Sequence, residues 1–349
     1  MEKIRLGRTE MMVSKIGFGG IPIQRVSEDE AIAVVRRCLE LGINFLDTAN
    51  GYTTSEERIG KAIAGQRERL ILATKSQART REELESHIKL SLKRLGVEYI
   101  DLYQFHQVRD ADDLKIILSS SGPRAVVDEA KRAGIVKHIG ITTHQMDVAK
   151  EAIKSGCFET IMFPFNFIRF EAANELLPLA REHDVGFIAM KPLAGGVIDN
   201  AKPAFKYLLQ FPEAVPIPGI RTVQETDEII QIAEGTRVIT AADKKEMERI
   251  KQEAGPRFCR RCDYCQPCKE GIEISTVMTF PIFNRNIPPE RFFSGTFAQT
   301  YEKAANCIEC GECEEKCPYN LPIREMLAEH VKLYEAAKKK YQEQVSRDS

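Results

Sequence analysis

Apolar positions along the first two-thirds of the chain follow two alternating rhythms. Short continuous apolar runs alternate with segments whose apolar residues fall three and four apart. The runs are SKIGFGG (14–20), INFLDTA (43–49), LILATK (70–75), YIDLYQFH (99–106), HIGITT (138–143), TIMFPFNF (160–167), GFIAMKP (186–192) and AVPIPGI (214–220). Strands buried on both faces of a parallel sheet read this way, without an apolar–polar alternation. After the first run, Ser27 and Glu30 form a capping box ahead of a helical stripe at Ala31, Val34, Val35, Cys38 and Leu41, and Gly42 stops it. The same spacing predicts helices over 56–64, 81–95, 124–133, 146–155, 171–183, 202–210 and 224–234. Residues 4–13 read as a short strand-like lead-in.

Eight strand–helix units point to an α/β fold, a (β/α)₈ TIM barrel over residues 1–250. The alternative is an open doubly wound sheet, but no G-x-G-x-x-G opens a helix here. Residues 235–257 are charged and read as helical, the barrel's end plus a linker, with Gly255-Pro256 marking the boundary. Residues 258–340 carry eight of the chain's ten cysteines and short helical patterns. They are expected to form a small C-terminal all-helical domain. Its last helix should pack Leu327, Val331 and Tyr334 against its own chain.

The eight cysteines form two runs, CRRCDYCQPC (Cys259, Cys262, Cys265, Cys268) and CIECGECEEKCP (Cys307, Cys310, Cys313, Cys317). Three cysteines at equal steps followed by x-x-x-C-P are the bacterial signature of a [4Fe–4S] cluster, with the fourth cysteine serving the other cluster. We therefore expect two [4Fe–4S] clusters. Cys259, Cys262, Cys265 and Cys317 would hold one, and Cys307, Cys310, Cys313 and Cys268 the other. Two Cys₄ zinc sites are the alternative, although those favour C-x-x-C pairs with a long spacer. Cys38 and Cys157 sit alone in apolar patterns and read as small buried hydrophobes.

Charge bears on partners. The net charge of the 349 residues is −1, which disfavours a nucleic-acid or membrane-surface role. No apolar run reaches the roughly 20 residues of a membrane span, and MEKIRLGRTE lacks the apolar core of a signal peptide. A cytoplasmic location is expected, where thiols stay reduced and bind metal rather than pair.

Chemistry in such a barrel sits at the C-terminal ends of the strands. Asp47 ends the second strand in DTANGY, Tyr52 follows it, Lys75 ends the third strand in ATK, and His106 ends the fourth in QFH. Alone, each reads more simply as an ion pair or a core histidine. Together they make an acid–base set. The ammonium would lower the Tyr52 pKa, the carboxylate would keep Lys75 charged, Tyr52 would donate a proton, and neutral His106 would orient a substrate oxygen.

These residues, in DTANGY, ATK and QFH, resemble the tetrad of the aldo-keto reductase family, and the resemblance covers about residues 1–240. It implies a barrel that binds NADP(H), with NAD(H) as the alternative, and passes hydride to a small aldehyde or ketone. The cysteine-rich tail resembles the two-cluster ferredoxin-like module of one branch of that family. The resemblance places the cofactor at Gly19, Gly20, Asp47, Thr142, Thr143, Asn166, Met190, Lys191, Pro192, Leu193, Gly195, Gly219, Arg221 and Glu225. Thr142-Thr143 stand where the family has Ser-Asn, Met162 replaces a Gln, and Met190 a frequent aromatic. Glu225 stands where Arg or Gln often meets a 2′-phosphate, and Ile229 replaces an Asn. Nicotinamide moves two electrons and each cluster one, so either a redox partner protein supplies the exchange or the clusters take no part in turnover. An electron-transfer or sensing protein that uses the barrel as a nicotinamide scaffold is a second reading, and purely structural clusters a third.

Overall fold

The structure, a computed structural model, describes residues 1–348. It divides into two compact units, Met1–Glu248 and Arg249–Ser349. The division falls inside the helix Ala241–Ala254, ahead of Gly255-Pro256.

In the first unit eight parallel strands follow one another in chain order: β1 (Phe18–Gly19), β2 (Phe45–Asp47), β3 (Ile71–Ser76), β4 (Ile100–Val108), β5 (Val136–Thr143), β6 (Thr160–Pro164), β7 (Gly186–Met190) and β8 (Ala214–Ile217). Ladders join each neighbour, and a bridge between Gly19 and Gly219 brings β8 back to β1. Gly17 N donates to Pro216 O at 2.9 Å and Gly19 N to Pro218 O at 2.8 Å, so the sheet closes. A Cβ on Gly19 would stand 2.9 Å from Pro218 O, which explains a glycine at this close approach.

Strand parity sends alternate side chains inward. Phe45, Ala73, Leu102, Met162, Ile188, Val215 and Ile217 form one buried cluster with Leu6 and Val13. Those last two come from a hairpin, Lys3–Arg5 with Met12–Ser14, whose turn meets the start of β7 through Arg8 N to Asp184 O. The expected strand-like lead-in over 4–13 is thus two short strands and their turn, a hairpin that plugs the N-terminal end, and β1 is shorter than the run 14–20. The capping box of Ser27 and Glu30 opens the helix Glu28–Glu40.

Two helix predictions change. The stretch 171–183 is two helices, Ala172–Glu175 and Leu177–Glu182, because Pro178 cannot donate the hydrogen bond that would join them. A helix over Ala111–Leu118, absent from the sequence reading, is capped by Asp110 accepting from Asp113 N. Cys38 is buried beside Thr226, whereas Cys157 is only half-buried just beyond a helix end.

The described part of the second unit is helical, from Ile274–Val277 to the long helix Ile323–Asp348. Leu327 and Tyr334 of that helix are buried, with Val331 partly so, in a core with Val277, Phe280, Phe292 and Tyr301. The Tyr301 and Tyr334 rings stack at 4.3 Å.

Candidate functional site

Lys75 and Asp47 sit inside the barrel, each 2% exposed, and form a close ion pair. Lys75 Nζ also donates to Thr48 O at 2.7 Å. The other carboxylate oxygen of Asp47 accepts from Gln104 Nε2 at 2.9 Å. Burial pushes the Asp47 carboxyl up and the Lys75 amine down, and the ion pair and its hydrogen bonds oppose both shifts. Gln104 was not picked out from the sequence. Its signal was a polar residue in YIDLYQFH two positions before His106, hence on the same inward face.

Tyr52, in the loop ahead of the helix Ser55–Ile63, lies with its ring centroid 5.2 Å from Lys75 Nζ. His106 meets the Tyr52 ring edge-on, with centroids 5.9 Å apart. The four predicted residues are therefore together. The expected direction of the Tyr52 pKa is overturned: burial first, then the Asp47 carboxylate, pushes it well above its ordinary value. Lys75 is already neutralised by Asp47, so it does not offset the desolvation. Tyr52 is held as a neutral phenol.

The expected cofactor positions divide. Thr142 Oγ1 accepts from Gln107 N at 2.8 Å, and Thr143 Oγ1 donates to Val108 O at 2.7 Å. Asn166 Oδ1 accepts from Ile168 N and Arg169 N, and its Nδ2 donates to Lys191 O. These polar groups brace the end of β4 and the loops after β6 and β7. Gly20 lies against β2, with its N donating to Asp47 O, and a Cβ on Gly219 would meet Pro22. Met190 ends β7 half-buried. Beyond it Lys191, Ala194, Gly195 and Gly196 all take positive φ, while Pro192 and Leu193 lie between them. Two amides of this loop close turns within it, Ala194 N on Lys191 O at 2.9 Å and Gly196 N on Leu193 O at 2.8 Å. Glu225 lies in the first turn of the helix Val223–Glu234 and accepts from Arg221 N at 2.7 Å, so a carboxylate already sits at that N-terminus.

In the second unit Cys259, Cys262, Cys265 and Cys317 line one cavity. Cys268, Cys307, Cys310 and Cys313 line another, which Cys265 also lines. The fourth cysteine of each run thus faces the thiols of the other run. Among the described residues no three such ligands close on a single-ion point. Thiols ringing a cavity suit a polynuclear cluster better than one zinc with bonds of about 2.3 Å. Burial pushes the Cys259 thiol up to about 11 and Cys265 up to about 12, so loading must displace their protons. Arg261 N donates to Cys259 Sγ at 3.4 Å.

A sequence model of the aldo/keto reductase family matches residues 15–204, and one of a 4Fe-4S dicluster domain matches residues 258–322. An uncharacterized oxidoreductase of Bacillus subtilis (strain 168) is 31% identical over 212 residues, 57% of this chain and 67% of that protein. An NADH-specific methylglyoxal reductase of Escherichia coli (strain K12) is 28% identical over 231 residues, 57% of this chain and 69% of that protein. The holo form of an aldo-keto reductase from Bacillus halodurans matches with a TM-score of 0.60 at 26% identity. The match covers 72% of this chain and 96% of that one.

Proposed function

The chain belongs to the aldo/keto reductase family, and from that premise we propose that it reduces a small aldehyde or ketone with a nicotinamide cofactor. The observation that carries this reading is the buried Lys75–Asp47 pair beside Tyr52 and His106, a pair of charges at the strand ends next to the barrel's apolar core cluster. A buried ion pair costs several kcal/mol of desolvation per ion, so its presence at the strand ends calls for a functional reason.

Bound nicotinamide would supply a hydride to the carbonyl carbon. Tyr52 would give its proton to the carbonyl oxygen, and its raised pKa keeps that proton in place until the oxygen becomes basic. The His106 imidazole would hydrogen-bond the same oxygen and set its angle. Asp47 and Gln104 fix Lys75 beside the phenol, so the positive charge is present when Tyr52 begins to ionise. Met190, Lys191, Pro192, Leu193 and Gly195 would hold the cofactor along the loop after β7, and Arg221 and Glu225 would meet its adenosine end. With Glu225 there, we propose that NADP(H) is used with weak discrimination against NAD(H), because a carboxylate does not reward a 2′-phosphate.

The appended domain would hold two [4Fe–4S] clusters on the crossed cysteine sets. Each moves one electron, so they would serve a redox partner protein, in the cytoplasm, rather than the hydride step itself. Anaerobic protein assayed for iron and sulfide, then tested on aldehydes and ketones with both cofactors, tests the assignment. Turnover of none of them would overturn it. Cluster reduction by the nicotinamide alone would bring the clusters into the cycle.

A further inference from the structure

We propose that Arg79 is a positioning residue for His106: its guanidinium, anchored on Asp113, clamps the backbone bulge that aims the imidazole at Tyr52. The ladder between β4 and β5 slips between Phe105 and Val108, just where His106 lies. Gln107 inside the slip has φ +55°, a left-handed conformation that strains a residue with a side chain. Such a conformation persists only where its surroundings over-determine it, and here they do.

Arg79 Nη2 donates to His106 O at 3.0 Å and to Gln107 O at 3.4 Å. The same guanidinium grips Asp113 through Nε and through Nη2, the latter at 3.0 Å. Asp113 in turn accepts from Arg109 N at 3.0 Å, on the far side of the bulge. Thr142 Oγ1 takes the Gln107 N–H, and Gln77 holds the Gln107 side chain at 2.8 Å. Both carbonyls turned out by the bulge thus meet one planar fork, whose five fixed donors a lysine does not reproduce. The frame is partly shielded, with the Arg79 side chain 22% exposed and that of Asp113 16%. Its product is the edge-on approach of His106 to Tyr52. The inference rests on the reading above, in which His106 orients the substrate oxygen.

The experiment is a double-mutant cycle on the full chain with its clusters loaded: Arg79→Met, His106→Ala and both. Arg79→Met alone should lower kcat/KM for a reducible carbonyl about 10- to 100-fold, the scale of a small misplacement, with nicotinamide affinity kept. In the His106→Ala background it should cost almost nothing more. An equal loss in both backgrounds overturns the proposal. Arg79→Lys keeps the pairing with Asp113 but loses the fork, and should show the same pattern where the Met variant fails to fold. Imidazole ¹⁵N resonances, read without substrate, form an independent arm. The His106 signals should move in both Arg79 variants while those of His183 stay, and unmoved His106 signals overturn the clamp. Should the wild type reduce no carbonyl, the functional reading fails and the resonance arm still decides the clamp.

Discussion

The Lys75 ammonium stands 5.2 Å from the centroid of the Tyr52 ring and gives its hydrogen bonds to Asp47 and to the Thr48 carbonyl. It therefore sits beside the phenol as one half of a neutral pair. Its charge helps only as negative charge develops on the Tyr52 oxygen, which is where stabilisation accelerates a reaction rather than merely tightening binding.

Tyr52→Phe should cut carbonyl reduction by roughly 100-fold or more, the scale of general-acid catalysis, with nicotinamide affinity kept. The sign of the pH dependence follows from burial. The donor is active while protonated, and its pKa lies above the ordinary 10.0, so its activity should persist as pH rises toward that value. Steady-state rates across that range check this. An alkaline limb near pH 8 that disappears in Tyr52→Phe would show a depressed pKa and contradict the desolvated phenol.

Residue types and their spacing carried the barrel and the four polar positions, because strand parity and strand ends are local properties. The runs ending in Asp47, Lys75 and His106 come together because the ladders between β2, β3 and β4 hold them in register. What depends on three-dimensional neighbours was less legible. Thr142 and Asn166 looked like cofactor residues, yet Thr142 Oγ1 answers the Gln107 amide in the β4 bulge and Asn166 Nδ2 the Lys191 carbonyl, groups distant in sequence. Gly19 looked like a cofactor glycine and also closes the barrel against Pro218. The direction of the Tyr52 pKa depends on how much water the fold removes, which no spacing records.

Glu225→Arg should shift cofactor preference toward NADPH. In the wild type the carboxylate accepts the Arg221 N–H at the start of the helix Val223–Glu234, where an incoming phosphate would compete with it. Like charges at about 4 Å repel by about 1 kcal/mol even in water, enough to change an affinity ratio several-fold. Fluorescence titrations with NADH and NADPH give that ratio directly. No change on substitution removes Glu225 from the cofactor site.

Glu159 sets an acid limit for the first unit. It shares hydrogen bonds with His138 Nδ1 at 2.8 Å, Lys131 Nζ at 2.7 Å and Ile139 N at 2.9 Å. Burial raises its pKa, but these partners outweigh burial and hold it at about 2 against 4.5. A carboxylate with a depressed folded pKa stabilises fully above the unfolded value, and that contribution fades as pH falls from about 4.5 through about 2. Glu159→Gln should therefore lower the urea midpoint near neutrality, and the difference from wild type should shrink on acidification through that window. A constant difference at every pH would mean the charge contributes nothing.

The last prediction concerns the wiring of the second unit. Cys317 lines the cavity of Cys259, Cys262 and Cys265, while Cys268 lines that of Cys307, Cys310 and Cys313. Three thiolates at equal steps can wrap one cube before the chain turns away, and the fourth is then free to reach the neighbouring cube. Cross-wiring of this kind ties segments distant in sequence, so the unit should become compact only when both sites are loaded. Paired lesions, made anaerobically and read by iron content, separate this arrangement from a local one. Cys317→Ser with Cys262→Ser strikes one crossed site and should leave about four iron atoms, one cluster's worth. Cys317→Ser with Cys310→Ser strikes both and should leave almost none. Local wiring reverses the two results, because Cys317 would then share its cluster with Cys310. Cys268→Ser supplies the mirror test: paired with Cys310→Ser it should spare one cluster, and paired with Cys262→Ser it should spare neither.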